Sequence, residues 1–415
     1  MAENSARPVL VILLVGTNPL PNFLTVCALR PRRMALVYTE ETEKTANRLE
    51  QCVRTRESGV EVRKVWIPDA ASAREVADRV RELVLEHSRS WRVVLSYTGG
   101  TKVMAAHALN AFYNAGGKRE DSCYLEDGGP DGSPRLRFDD GTCRKLTDCD
   151  APPLSFETLL ALHGARLQRR SPRQPAPTLR DVEALARLVL NDPSVARRLY
   201  EGMRETFGSE SDPRKLLARP FDPRDYELEL SIGRFPTAAH IESFSTKGER
   251  ESWFEQWRHF IGGGWLEDWV AARIEEACPL GDAGQEVVLG FQVFRGERQS
   301  QLEVDLAVVR KHRSYFVSCT TAQDKACCKQ KLFEIAVRAR QLAGDLARPA
   351  LVCLARGPTL SRLRDEVDGE TAPGGAFRVA GVASVHVFGL EDLRAWNGWQ
   401  GAPSNLESLR WWLDS

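Results

Sequence analysis

Two short stretches hold residues whose types and spacing can do chemistry. In "YTGGTKVMA" (97–105) two glycines lie between threonines, a lysine follows, and an apolar run gives way to helical spacing. A glycine-rich turn entering a helix offers unpaired backbone N–H groups and the positive end of the helix dipole to an anion. Thr98 and Thr101 add hydroxyl donors, and Lys102 adds a point charge. The spacing is neither GxxxxGK[ST] nor GxGxxG. On these residues alone the turn is either a phosphate cradle or a strand–helix turn that needs small side chains. In "LEVDLAVV" (302–309), strict alternation sets Glu303 and Asp305 on one face of a strand. Paired carboxylates of this kind suit a hard divalent cation. In the following apolar run the same period places Phe316, Ser318 and Thr320 together.

The elements that must position these residues fall into three regions. Apolar runs at 8–16, 34–38, 61–67 and 92–97 alternate with helical stretches near 41–56, 72–88 and 101–115. Such alternation predicts a parallel sheet covered by helices, with ligands at the carboxyl ends of its strands. The loops at 15–22 ("VGTNPLPN") and 97–101 lie at such ends. Gly, Asp and Pro then mark turns and a hairpin over 127–151. Helical segments are expected at 155–168, 178–190 and 193–206, split by the Pro/Arg-rich "RRSPRQPAPT". Beyond 246, a helix at 262–277 precedes strands at 286–295, 301–310 and 314–320. A long helix carrying Cys328, Leu332, Ile335, Ala336, Ala339, Leu342 and Ala343 ends at Gly344. Strands at 348–355 and 382–390 follow. The expected architecture is α/β in three parts: a Rossmann-like domain (1–150), a helical linking region (151–245) and a second α/β domain (246–415).

Composition narrows the chemistry further. The chain has 415 residues, and Lys+Arg and Asp+Glu both number 57, so any nucleic-acid contact must come from a local patch. Ten cysteines are present without a CxxC pair, and the seven histidines show no HxxxH or HExxH spacing. "PVLVILLVG" is too short to span a bilayer and has no cleavage-site flank. Reduced thiols, a cytoplasmic protein and no membrane partner are the expectation. Trp265, Trp269, Trp411 and Trp412 are expected in the core or at a dimer contact, and His107 as a packed or surface residue.

"YTGGTKVMA" paired with "VGTNPLPN" resembles the CRISPR-associated Rossmann-fold (CARF) sensor domains over about the first 130 residues. The resemblance implies a homodimer that binds a cyclic oligoadenylate, usually cyclic tetra-adenylate, across its two-fold axis. It also implies a ligand site lined by Thr17, Asn18, Pro19, Thr98, Gly99, Gly100, Thr101, Lys102 and Met104. "GGWLEDWV", "LEVDLAVV", "FVSCTT" and "QKLFEIAVRARQLAG", in that order, resemble the PD-(D/E)xK-like nuclease domain of CARF-fused CRISPR ancillary nucleases over about 255–390. That resemblance implies Mg²⁺- or Mn²⁺-dependent cleavage of DNA or RNA in response to the ligand. Glu267 matches the acidic residue of the first helix, Asp305 the metal-binding Asp, and Lys331 a lysine on the following helix. Ser318, Cys319 and Thr320 stand where the family has a Glu-x-Lys doublet. Neither hydroxyl replaces a carboxylate's charge or an ammonium. Either the roles have moved, to Glu303 or Glu334 and to Lys331 or Lys325, or the fold has lost its chemistry and the protein binds the ligand as a scaffold or sink.

Overall fold

A computed structural model describes residues 7–57, 59–127, 134–149, 153–169, 176–278, 286–295, 300–310, 312–368, 376–377 and 385–414. The first sheet is built from β1 (Val9–Leu14), β2 (Arg33–Tyr38), β3 (Glu61–Trp66), β4 (Arg92–Ser96), β5 (Ser122–Glu126), β6 (Arg135–Phe138) and β7 (Cys143–Lys145). Its order is β3-β2-β1-β4-β5-β6-β7. The first five strands pair in parallel, and the last two fold back as an antiparallel hairpin. Helices α1 (Leu20–Leu29), α2 (Glu43–Arg56), α3 (Ala73–His87) and α4 (Lys102–Asn114) make the crossovers. Because β1 lies between β2 and β4, the connections leaving β1 and β4 diverge there. This is the switch point at which such sheets take ligands.

Two further elements come next, and they depart from expectation. Helix α5 (Phe156–Leu162) stops at Gly164, whose φ of 72° favours glycine, and β8 (Ala165–Arg169) replaces the expected continuation of the helix to 168. β8 pairs antiparallel with β9 (Glu286–Arg295), so the region expected to be a linker supplies an edge strand to the second sheet. That sheet also contains β10 (Ser300–Arg310), β11 (Arg313–Thr320), β12 (Ala347–Cys353), β13 (Ala376–Phe377) and β14 (Val385–Phe388). Its order is β13-β14-β12-β11-β10-β9-β8. The beginning of the strand expected at 382–390 lies outside the described residues.

One face of the second sheet is covered by α6 (Leu179–Asn191), α7 (Ser194–Phe207), α8 (Pro213–Leu216), α9 (Ala238–Glu242), α10 (Lys247–His259) and α11 (Trp265–Ala277). Trp253, Trp257, Trp265, Trp269 and Trp412 are buried there, while Trp411 is half exposed. α10 has a capping box, Thr246 with Glu249, and joins α11 through a π-helical turn, Phe260–Gly264. α12 (Lys325–Ala343) covers the opposite face, with α13 (Gly357–Asp368) beside it. α14 (Leu390–Asn397) and α15 (Glu407–Asp414) complete the chain.

The core on the α12 side does not stop at a domain boundary. Val11 and Phe23 of the first module share one buried cluster with Phe156, Val304, Phe316 and Leu332. α5 is the keystone: its Phe156 ring lies 6.3 Å from that of Phe316, and Arg48 on α2 donates to the Leu162 carbonyl at 2.9 Å. All ten cysteines are free thiols. Among the described residues, no helix is long and apolar enough to cross a membrane.

His312 sits in the β10–β11 turn with φ 66°, buried, and its Nδ1 has no hydrogen-bond partner. Burial, helped by the Arg56 charge, lowers its pKa to about 4. A lowered histidine pKa means that the unfolded chain binds the proton first, so stability falls as pH drops from 6.5 towards 4. At pH 5 the loss amounts to about 2 kcal/mol. His312→Asn, which tolerates the left-handed backbone, is expected to remove that part of the difference between pH 7 and pH 5 denaturation curves. An unchanged difference would refute the assignment.

Candidate functional sites

The first site is built from backbone. β1 and β4 run side by side with Leu13 opposite Ser96, so their following loops emerge together. A Cβ on Gly99 would collide with the Leu14 carbonyl, and one on Gly16 would lie 2.9 Å from the Gly100 nitrogen. Gly100 has φ 73°. Glycine is therefore required at 99 by close approach and at 100 by conformation. Asn22 is fully buried on α1 and donates through Nδ2 to the Leu14 carbonyl at 2.9 Å, locking the same junction.

The expected ligand residues divide into two groups. Thr17, Thr101 and Lys102 are exposed. Thr101 caps α4, its Oγ1 accepting from the Met104 N–H at 3.2 Å, so the first turn of the helix opens beside it. Thr98 faces inward: its Oγ1 accepts from the Leu125 N–H at 2.6 Å and ties the turn to β5. Pro19 is buried at the start of α1. Asn18 is half-buried, and its Oδ1 accepts from the Leu20 N–H at 3.1 Å. Met104 departs from expectation. It is 1% exposed, with its sulfur against Gly100, and it supports the turn from beneath. Behind the turn, Asp139 accepts from the hydroxyls of Tyr97, Tyr113 and Ser122 at 2.6–2.7 Å, fixing the ends of β4 and α4. Asn22 and Asp139 were not anticipated from sequence. Only "VGTNPLPN" itself contained a hint, in the second asparagine.

The second site forms where β10 and β11 part. Their ladder covers Leu306–Arg310 against Arg313–Val317, and towards the site β10 continues on β9 while β11 continues on β12. Asp305 stands at the parting. Its Oδ2 accepts from the Ser318 hydroxyl at 3.0 Å and from the Cys319 N–H at 2.7 Å. Cys319 is buried beneath it. Burial raises the Cys319 thiol pKa well above the ordinary value; the charges of Asp305, Glu267 and Asp268 push the same way, while that of Lys331 opposes them. Asp305, Glu267 and Lys331 thus all lie within electrostatic reach of the Cys319 thiol. Asp268 belongs there too, and burial alone lifts its carboxyl to about 6.

Glu267 also faces His259 across the π-helical turn, at 3.7 Å. The other candidates stand differently. Glu303 is exposed, and its backbone carbonyl accepts from Arg338. Glu334 is paired with Lys331 at 3.7 Å and with Arg338, as a solvated helix face would have it. Lys325 opens α12. Cys327 is exposed, whereas Cys328 is buried beside Cys353. Among the described residues no three His, Cys, Asp or Glu side chains are arranged to hold a metal ion.

Gly99→Ala is expected to destabilise the protein by roughly 1–3 kcal/mol, since the Leu14 carbonyl and the buried Asn22 side chain leave the added methyl nowhere to go. Gly248→Ala, in open space on α10, is expected to be neutral or stabilising. Denaturant unfolding of both variants is the check, and a Gly99→Ala protein as stable as the parent would contradict the interlock.

Residues 10–124 match the family model described as the Card1 CARF domain. No curated protein matches the chain. Among solved structures, Can2 from Sulfobacillus thermosulfidooxidans in complex with cyclic tetra-adenylate is similar, with a TM-score of 0.63 and 16% identity over 98% of this chain and 100% of that one. Protein VC1899 from Vibrio cholerae is similar to the same degree, with a TM-score of 0.63 and 16% identity over 96% and 99%. The N-terminal module is thus matched by a CARF domain, and the whole chain carries the two-module α/β fold of these two proteins.

Proposed function

We propose that this protein is an ancillary effector of type III CRISPR defence. It binds a cyclic oligoadenylate, cyclic tetra-adenylate first among them, between the CARF modules of a cytoplasmic homodimer. In response it hydrolyses phosphodiester bonds in DNA or RNA. The observation that carries this reading is the interlocked glycine turn at the switch point of a sheet matched by a CARF domain. A ring of phosphates needs backbone donors and helix N-termini without an acidic rim, and the Thr101-capped start of α4 with exposed Lys102 offers that. A C2 dimer would present both loops twice to a symmetric ligand.

At the second site the chemistry falls to Asp305, Glu267 and Lys331, with Glu303 at the rim. Asp305 is held by a hydroxyl and a backbone N–H through its Oδ2. Two carboxylates fit Mg²⁺ or Mn²⁺, cations that keep several waters and accept few protein ligands. The bound ion would neutralise developing phosphoryl charge and lower the pKa of a water. Lys331 would sit against the scissile phosphate, taking the place of the family's strand lysine. Ser318 and Cys319 orient Asp305 and carry no charge.

The Ser-Cys-Thr triplet favours a second reading, in which the site is inactive and the protein sequesters its ligand. Cleavage of labelled single- and double-stranded DNA and RNA, with Mg²⁺ or Mn²⁺ and with or without cyclic tetra-adenylate, decides between them. The expected result is ligand-dependent cleavage that falls roughly 10³-fold in Asp305→Ala. Ligand binding without cleavage would establish the sink, and absence of both would overturn the reading.

A further inference from the structure

Two contacts between the first module and the second bear on the candidate catalytic residues. One lies at the start of β11, which holds Asp305 through Ser318 and Cys319, and the other at the end of α12, which carries Lys331. Asp127 follows β5 directly, two residues beyond Leu125, whose N–H is held by Thr98 of the glycine turn. Its carboxylate bridges Arg313 at 3.0 Å and Arg348 at 2.6 Å, at the starts of β11 and β12. Arg313 is 1% exposed, while Asp127 and Arg348 are partly exposed, so the contact runs from the protein interior to its surface. Five residues along β11, about 17 Å at strand rise, Ser318 and Cys319 hold Asp305.

The second contact is at the other end of α12. Gly344 has φ 67° and ψ −150°, a conformation for glycine alone, and a Cβ there would collide with the side chain of Asn18 in the first ligand loop. Lys331 lies thirteen residues back along α12, about 20 Å away. One strut therefore runs from the glycine turn to Asp305 and another from the Asn18 loop to Lys331. Sheet and helix are stiff, so a displacement at either loop is delivered to the site rather than absorbed on the way.

We propose that Asp127 and Gly344 are positioning residues that set the placement of Asp305 against Lys331 according to the state of the ligand loops. The proposal rests on the activator-dependent nuclease reading above. It assigns the transmission to β11 and α12 and not to the helices of 176–245. A ligand drives such a change only by binding one arrangement better than the other. Uncoupling should therefore spare binding and remove the response.

The test compares the parent with Asp127→Asn and Gly344→Ala. It measures cyclic tetra-adenylate affinity by calorimetry, ligand-stimulated cleavage, and hydrogen exchange over 313–343. In the parent, ligand is expected to change exchange over 313–320 and 325–343. Each variant is expected to keep its affinity within about threefold, to lose at least tenfold in stimulation, and to show no ligand-dependent exchange change in the strut it interrupts. Gly344→Ala leaves no buried charge unpaired, so it decides the matter if Asp127→Asn fails to fold. Parent-like stimulation and exchange in a folded variant would overturn the proposal, as would loss of affinity in step with activity. A parent that binds ligand and cleaves with unchanged exchange in 313–343 would also overturn it, leaving the nuclease reading intact. A parent that does not bind would instead defeat the reading on which it rests.

Discussion

Arg313 has almost no access to water, and a guanidinium in that position must have an anion beside it. Burying a charge is tolerable only when it is paired and hydrogen-bonded. The anion is Asp127, which belongs to the other module and also holds Arg348. Because Arg313 is buried, the two sheets cannot separate there without leaving its charge without Asp127. The continuous core beneath it, from Val11 to Leu332, adds the non-directional part of the same constraint. The rest of the architecture depends on this junction. α5 fills it, β8 crosses it into the second sheet, and both ligand loops abut it.

The two candidate sites obey different rules. The ligand turn is a matter of backbone, where glycines let two loops interpenetrate and Asn22 and Asp139 stiffen the result. Side chains there serve mostly the turn itself, as Thr98 and Met104 do. The second site is a matter of charge. Parting strands expose the Cys319 N–H, Asp305 takes it, and the charges of acids from α11 and of a lysine from α12 act on the same buried thiol. Ser318, Cys319 and Thr320 bring no formal charge to the strand, and Ser318 and Cys319 orient Asp305.

Much of this could be read in advance, because it depends on local periodicity. The first four strands, α2–α4, β9–β12 and α12 with its stop at Gly344 all follow from period-two or helical spacing and from terminal glycine chemistry, whereas α1 was not expected. β8 was hidden because Leu159, Leu160 and Leu162 set a helical pattern that reads on past Gly164, and only its partner β9, over a hundred residues away, makes 165–169 a strand. α10 was legible in principle: Thr246 and Glu249 form a capping box ahead of Trp253, Phe254 and Trp257. The inward turn of Thr98, the burial of Met104 and the bridge at Asp127 are products of long-range packing, which no local pattern encodes. At the second site, alternation located Asp305 correctly but could not reveal that Glu303 is exposed at the rim or that Glu334 is paired with Arg338.

The central claim is that the two modules form one mechanical unit. Differential scanning calorimetry with and without cyclic tetra-adenylate tests it most directly. A shared core and an inter-module ion pair on the buried Arg313 predict a single cooperative transition, moved to higher temperature as a whole by the ligand. Two transitions, with only the first responding to the ligand, would contradict it.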